Sequence, residues 1–246
     1  MPLADDAAAA WYLGQAGYVL RGGGVSIAID PYLSDSAAKG MAECARTLPV
    51  PIRPQDLKVD IFIATHDHLD PDTIAPYPHK DRTIFVAPRL ACRKLVALGV
   101  RAQNIRRVDS GESAVIHGVE ITGIYAVPSE PAVIDTAGYL LRFANGRSFY
   151  HTSDTAMSDV LLASAPAAEV LACCINGKWG NLDAMEAAHL AGKVRPRFAI
   201  PNHYDLMAIN SENPQTFAVF AKGQAPGVAV KVLQVLQPFV WSARSE

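Results

Sequence analysis

Four short apolar runs in this chain each end on a residue that can carry a proton or hold a cation. They are "VSIAID" at Asp30, "VDIFIATH" at His66, "SFYHTSD" at Asp154 and "RFAIPNH" at His203. Runs this short, rich in β-branched and aromatic residues, read as buried strands rather than helices. Polar groups delivered at strand ends can be converged by a rigid sheet onto one point. The pattern constrains the chain to layered α/β structure with a site at a sheet edge.

The connections between these runs carry turn and helix signals. "AWYLG" and "GYVLR" flank a glycine-containing turn, and "GGG" at Gly22–Gly24 leads into the run ending at Asp30. "ESAVIHGVEITGIYAV" predicts a hairpin turning at His117–Gly118, and "AGYLLRFANGRSFYH" predicts one at Asn145–Gly146. "RLACRKLVALG" predicts a helix stopping at Gly99. Later, "LDAMEAAHLAGKV" and "PQTFAVFAKG" are helical in pattern, "RFAIPN" is a strand, and "VAVKVLQVL" is expected as the final strand. "LPVPIRP" is too short for a domain linker, so the expectation is a single domain over residues 1–246.

Composition removes several function classes. Of 246 residues, 50% are hydrophobic and 19% charged, enough for a sizeable core, and the net charge of −2 gives no general attraction to nucleic acid. Basic residues are scattered, and Arg106–Arg107 reads as a solvated face. No apolar run approaches the roughly 20 residues that span a bilayer, and "MPLADD" lacks the basic start of a secretory signal. The four cysteines lack metal-ligand spacing, and adjacent Cys173 and Cys174 read as buried thiols. The expectation is therefore a cytoplasmic protein with no membrane and no nucleic-acid partner.

The densest chemistry lies in "IATHDHLDPDTIAPY". His66, His68 and Asp70 are residue types that hold Zn²⁺, Mn²⁺ or Fe²⁺. An Asp-rich turn with surface histidines is the competing reading. Asp154 and His203, each in a polar turn after a strand, tip the balance toward one composite site.

With those segments in place, the sequence resembles the metallo-β-lactamase superfamily, whose HxHxDH motif is followed by a late Asp and a final His. It is most similar to the L-ascorbate-6-phosphate lactonase branch. The pieces "WYLGQAGYVL", "IAIDPYLSDS", "VDIFIATHDHLD", "GYLLRFANGRSFYHTSDT", "INGKWGN" and "RPRFAIPNHYD" carry the resemblance, in the family's order, from about Trp11 to Asp205. It implies an αββα four-layer sandwich, two mixed β-sheets flanked by helices. It also implies His66 and His68 at a first metal, Asp70 and His203 at a second, and Asp154 bridging, with Asp30 supporting the metal loop.

Three positions depart from that pattern. Pro71 replaces the motif's last histidine, so a second metal loses a ligand. Asp72 could substitute, or could cap the helix that follows. The family's middle histidine has no match; Glu130 and His151 are the residues nearby, and His151 is expected to support rather than ligate. Ser153 stands where the family has glycine. The five remaining candidates, His66, His68, Asp70, Asp154 and His203, fill one site of Zn or Mn well and two sites poorly.

The resemblance implies a metal-dependent hydrolase in which a metal-bound hydroxide attacks a small anionic substrate, a lactone first, with Asp70 orienting the water and accepting its proton. Asn176, Lys178 and Asn181, on a Gly-rich turn, and Tyr204 would contact the substrate. Two alternatives stand beside it: phosphodiester hydrolysis, and a degenerate member that binds a ligand or protein without catalysis. A homo-oligomer is left open.

Overall fold

In the computed structural model, residues 2–128 and 134–243 are described. Fourteen strands divide into two halves of the chain. The first half supplies β1 (Ala7–Gly14), β2 (Gly17–Gly22), β3 (Val25–Ile29), β4 (Ile61–Ile63), β5 (Ile84–Ala87) and β6 (Ile105–Arg107). The second supplies β7 (Ser113–Ile116), β8 (Val119–Tyr125), β9 (Ala137–Arg142), β10 (Ser148–His151), β11 (Val170–Cys174), β12 (Phe198–Asn202) and β13 (Ala229–Val230). A last strand, β14 (Pro238–Ser242), crosses back, giving sheet orders β14-β1-β2-β3-β4-β5-β6 and β13-β12-β11-β10-β9-β8-β7. Each sheet is antiparallel in one part and parallel in the other, the switch falling at β3 and at β10.

The two-residue period of a strand explains the layers. Ile61 and Ile63 point between the sheets, where they meet Ile121, Tyr139, Leu141 and Phe149. Phe62 and Ala64 point outward under α1 (Pro71–Ile74) and α2 (Arg89–Ala97), beside Ile74, Ala91 and Leu95. In the other sheet Val170 and Ala172 face inward, whereas Leu171 and Cys173 pack on α4 (Ala184–Val194) and α5 (Pro214–Gln224), the latter pair preceded by α3 (Asp159–Ser164). The result is the four-layer αββα sandwich that the resemblance implies.

The predicted hairpins are present: β7 and β8 turn at His117 (φ +50) and Gly118 (φ +80), and β9 and β10 turn through Gly146 (φ +80). Two strand readings change. The alanines of "AAAAW" open β1 and are buried, Ala8 and Ala10 among the core residues between the sheets. The expected final strand "VAVKVLQVL" pairs for two residues only. The chain then leaves the second sheet through Leu236 (φ +62), whose N–H donates to the Tyr12 carbonyl at 2.9 Å, and ends as β14 beside β1. Among the described residues no helix is long and apolar enough to cross a membrane. Cys44, Cys92, Cys173 and Cys174 are unpaired, the last two buried in β11.

Candidate metal centre

The strand ends Asp30, His66, Asp154 and His203 meet at one edge of the sandwich and line a cavity of about 300 Å³ together with His68 and Asp70. The nearest approach is between Asp154 and His203, whose Oδ2 and Nε2 lie 3.1 Å apart. His66 Nε2 is 4.0 Å from the same oxygen. His68 is exposed at the rim, its ring centroid 5.1 Å from that of His66.

A chain of hydrogen bonds behind His66 fixes its tautomer. Asp30 ends its strand at φ +39 and turns its carboxylate onto Thr65, accepting from the backbone N–H at 2.8 Å and from Oγ1 at 2.6 Å. Thr65 has thereby spent its hydroxyl proton, so the His66 Nδ1 at 2.9 Å must be the donor to Thr65 Oγ1. In the neutral ring Nε2 is then the nitrogen with the free lone pair, and it faces Asp154. Ser153 adds a second donor to Thr65 Oγ1 at 2.7 Å and lies 2.9 Å from Thr136 Oγ1. At φ +63 it keeps the left-handed turn that glycine otherwise supplies.

His203 also sits in left-handed backbone, at φ +63. Its N–H donates to the Gln15 carbonyl at 2.6 Å, and Asn210 Nδ2 lies 2.8 Å from its Nδ1. Gln15 (φ +53) is the tip of the β1–β2 hairpin, and its side-chain amide lies 3.2 Å from His203 Nε2. Burial alone lowers the His203 pKa, but the Asp154 carboxylate overrides it and the net shift is upward. Burial likewise raises Asp154, yet the His203 and His66 imidazoles and the Asn181 amide hold it well below the usual carboxylate range.

The donors suit one cation. Asp154 Oδ1 is buried with no hydrogen-bond partner. A buried carboxylate with one oxygen bare and the other facing two imidazoles is an electrostatic demand that a divalent ion meets. Among the described residues no three acidic, histidine or cysteine side chains stand at ligand spacing, and Asp154 and His203 touch directly.

Asp70 has other partners. Its carboxylate accepts from Leu33 N at 3.0 Å, Ser34 Oγ at 2.7 Å, Ser36 Oγ at 2.9 Å, Asp72 N at 3.1 Å, Thr73 N at 3.3 Å and Thr73 Oγ1. Six donors on two oxygens exceed the roughly four lone-pair sites a carboxylate offers. Its lone pairs go to capping α1 and pinning the loop after β3, which leaves the expected metal and proton-transfer roles without an open acceptor. The cap expected of Asp72 is made by Asp70; Asp72 lies one residue into the helix and pairs with Lys39 at 2.5 Å. His151 is buried, with Ser153 N–H donating to its Nδ1 at 3.0 Å and Nε2 2.9 Å from the Ala16 carbonyl. Both ring nitrogens are used. Glu130 lies outside the described residues.

Of the expected substrate contacts, only Asn181 lines the cavity. Lys178 donates to the Ile209 carbonyl at 2.6 Å, and Asn176 is buried within its own turn. Tyr204 is buried against Tyr12, and burial pushes its hydroxyl up to about 12. Trp179, by contrast, lines the cavity. A tryptophan between two glycines in a turn before a helix was the available signal for it.

Two mixed sheets between helix layers, with imidazoles and a carboxylate gathered at strand ends, define the metallo-β-lactamase fold. The profile of the β-lactamase superfamily domain matches residues 11–203, and the chain belongs to that family. A UPF0173 metal-dependent hydrolase of Roseiflexus sp. (strain RS-1) is 28% identical over 208 residues, covering 80% of this chain and 82% of its own. Another, from Carboxydothermus hydrogenoformans, is 26% identical over 239 residues, covering 90% and 95%. Igni18, a metallo hydrolase from Ignicoccus hospitalis, shares the fold with a TM-score of 0.76 at 20% identity, over 97% of this chain and 100% of that one.

Proposed function

We propose that the chain is a hydrolase using one divalent ion, Zn or Mn, held by His66, His68, Asp154 and His203, and that it opens a lactone or related ester. The observation that carries this is the buried Asp154 carboxylate in the cavity wall, its Oδ2 facing the His66 and His203 imidazoles and its Oδ1 without a hydrogen-bond partner. A bound divalent ion supplies Lewis acidity, lowering the pKa of water and polarising the oxygen of the bond under attack.

The remaining work falls to the protein. Thr65 and Asp30 hold the His66 ring with its Nε2 lone pair inward. Gln15 and Asn210 orient His203 from two sides. Against the effect of burial, His203 holds the Asp154 carboxylate well below the usual carboxylate range. Asp70 is proposed as the anchor that fixes the HDH loop against the loop after β3, rather than as the base. With Pro71 donating nothing and Asp70 saturated, the reading is one ion and not two.

Lactone opening is carried forward from the L-ascorbate-6-phosphate lactonase resemblance, but an anionic substrate body is not, since Lys178 is engaged at Ile209. A reducing, cytoplasmic setting is supported by the adjacent thiols of Cys173 and Cys174. The test is a panel of lactones, carboxylic esters and phosphodiesters against zinc- and manganese-loaded protein. Lactone or ester turnover that disappears in Asp154→Ala is expected. Turnover of phosphodiesters alone would replace this reading with the phosphodiesterase one, and turnover of none would favour a binding protein.

A further inference from the structure

We propose that the cavity selects an uncharged substrate with an apolar body, a proposal that rests on the hydrolase reading above and names its substrate class. Beyond the imidazoles the wall is formed by Tyr32, Met41, Cys44, Leu69, Trp179 and Met207. Among the described residues lining it there is no lysine or arginine.

The cations nearby are committed elsewhere. Arg46 donates to the carbonyls of Tyr32 at 2.8 Å, Leu48 at 3.1 Å and Pro49 at 3.1 Å, and lies over the Tyr32 ring. Lys39 pairs with Asp72, and Lys178 with the Ile209 carbonyl. Three carboxylates, Asp30, Asp70 and Asp154, line the same space. An anionic tail brought beside them would lose hydration and gain no lysine or arginine in return.

Trp179 supplies the apolar rim. It holds φ +53 between Gly177 at +60 and Gly180 at +84, a backbone region a bulky residue rarely adopts. The Lys178 bond to Ile209 anchors the turn, and the outcome is an indole 38% exposed at the cavity. Exposed aromatic surface beside methionines is what an aliphatic chain covers on binding.

The probes are γ-decalactone and the same lactone with its chain ending in a carboxylate, titrated into zinc-loaded and metal-free wild-type protein while following tryptophan fluorescence. Trp179→Phe identifies the signal's origin. The neutral probe is expected to bind about 10-fold tighter or more in both forms, weakening up to about fourfold for each methylene removed. Met41→Lys, at an exposed wall position, is expected to narrow or reverse the preference. Equal or tighter binding of the carboxylate probe overturns the proposal, as does binding of neither below about 1 mM. Hydrolysis is scored separately. A neutral preference without turnover fails the lactone reading and leaves this one standing, and turnover with the carboxylate preferred does the reverse.

Discussion

Thr65→Val isolates the hydrogen-bond relay behind His66. Valine keeps the branched shape that a fully buried site needs and removes only the hydroxyl. Three contacts go at once: 2.6 Å to Asp30 Oδ2, 2.9 Å to His66 Nδ1 and 2.7 Å to Ser153 Oγ. Asp30 keeps the Thr65 backbone donor and Ser153 keeps Thr136, so the main losses are one charge-assisted bond and a stranded imidazole N–H. A bond to a charged group contributes about 1.5–3 kcal/mol, and a buried unsatisfied donor costs about 1–3 kcal/mol, so a loss near 3 kcal/mol is expected. Without its orienting partner the ring can turn or change tautomer, and metal affinity should fall about 10- to 100-fold. Urea unfolding of metal-free protein, with the slope checked for constancy, reads the first quantity, and chelator competition reads the second. A stability change under about 1 kcal/mol together with unchanged metal affinity would refute the relay.

Asp70→Asn removes one acceptor oxygen from six donors and should destabilise by about 2–4 kcal/mol while leaving metal content unchanged, read by urea unfolding and elemental analysis. Trp179→Gly suits the left-handed backbone, so its melting temperature should stay within about 5 °C of wild type while affinity for the neutral lactone falls. Gly192→Ala tests the α4–α5 packing: a methyl there would meet the Gln224 carbonyl oxygen at 2.3 Å. Although alanine is the better helix former by about 1 kcal/mol, the variant should lose more than about 2 kcal/mol in denaturant unfolding.

Much of the site was legible because strand periodicity ties a polar residue at a strand end to a fixed place. Asp30, His66, Asp154 and His203 follow from that geometry, and the hairpins at His117–Gly118 and Asn145–Gly146 follow from turn chemistry. The partners of Asp70 were not legible, because Leu33, Ser34 and Ser36 lie more than thirty residues earlier and meet it only through the packing of β3 beside β4. Gln15 is an ordinary turn residue until the hairpin tip is seen against His203. Lys178 looked like a substrate cation because sequence spacing does not reveal that a carbonyl 31 residues later accepts its hydrogen bond. The start of β1 was not legible either, because a run of alanines carries no strand signal until it is buried by the fold.

The central claim is one ion held by His66, His68, Asp154 and His203, with Asp70 outside the ligand set. Its most direct test is elemental analysis of protein purified without chelators, comparing wild type, Asp154→Ala and Asp70→Asn at matched folded fraction. The expected result is about one equivalent of zinc or manganese in wild type and in Asp70→Asn, and less than about 0.3 in Asp154→Ala. Two equivalents in wild type, with one lost in Asp70→Asn, would contradict it.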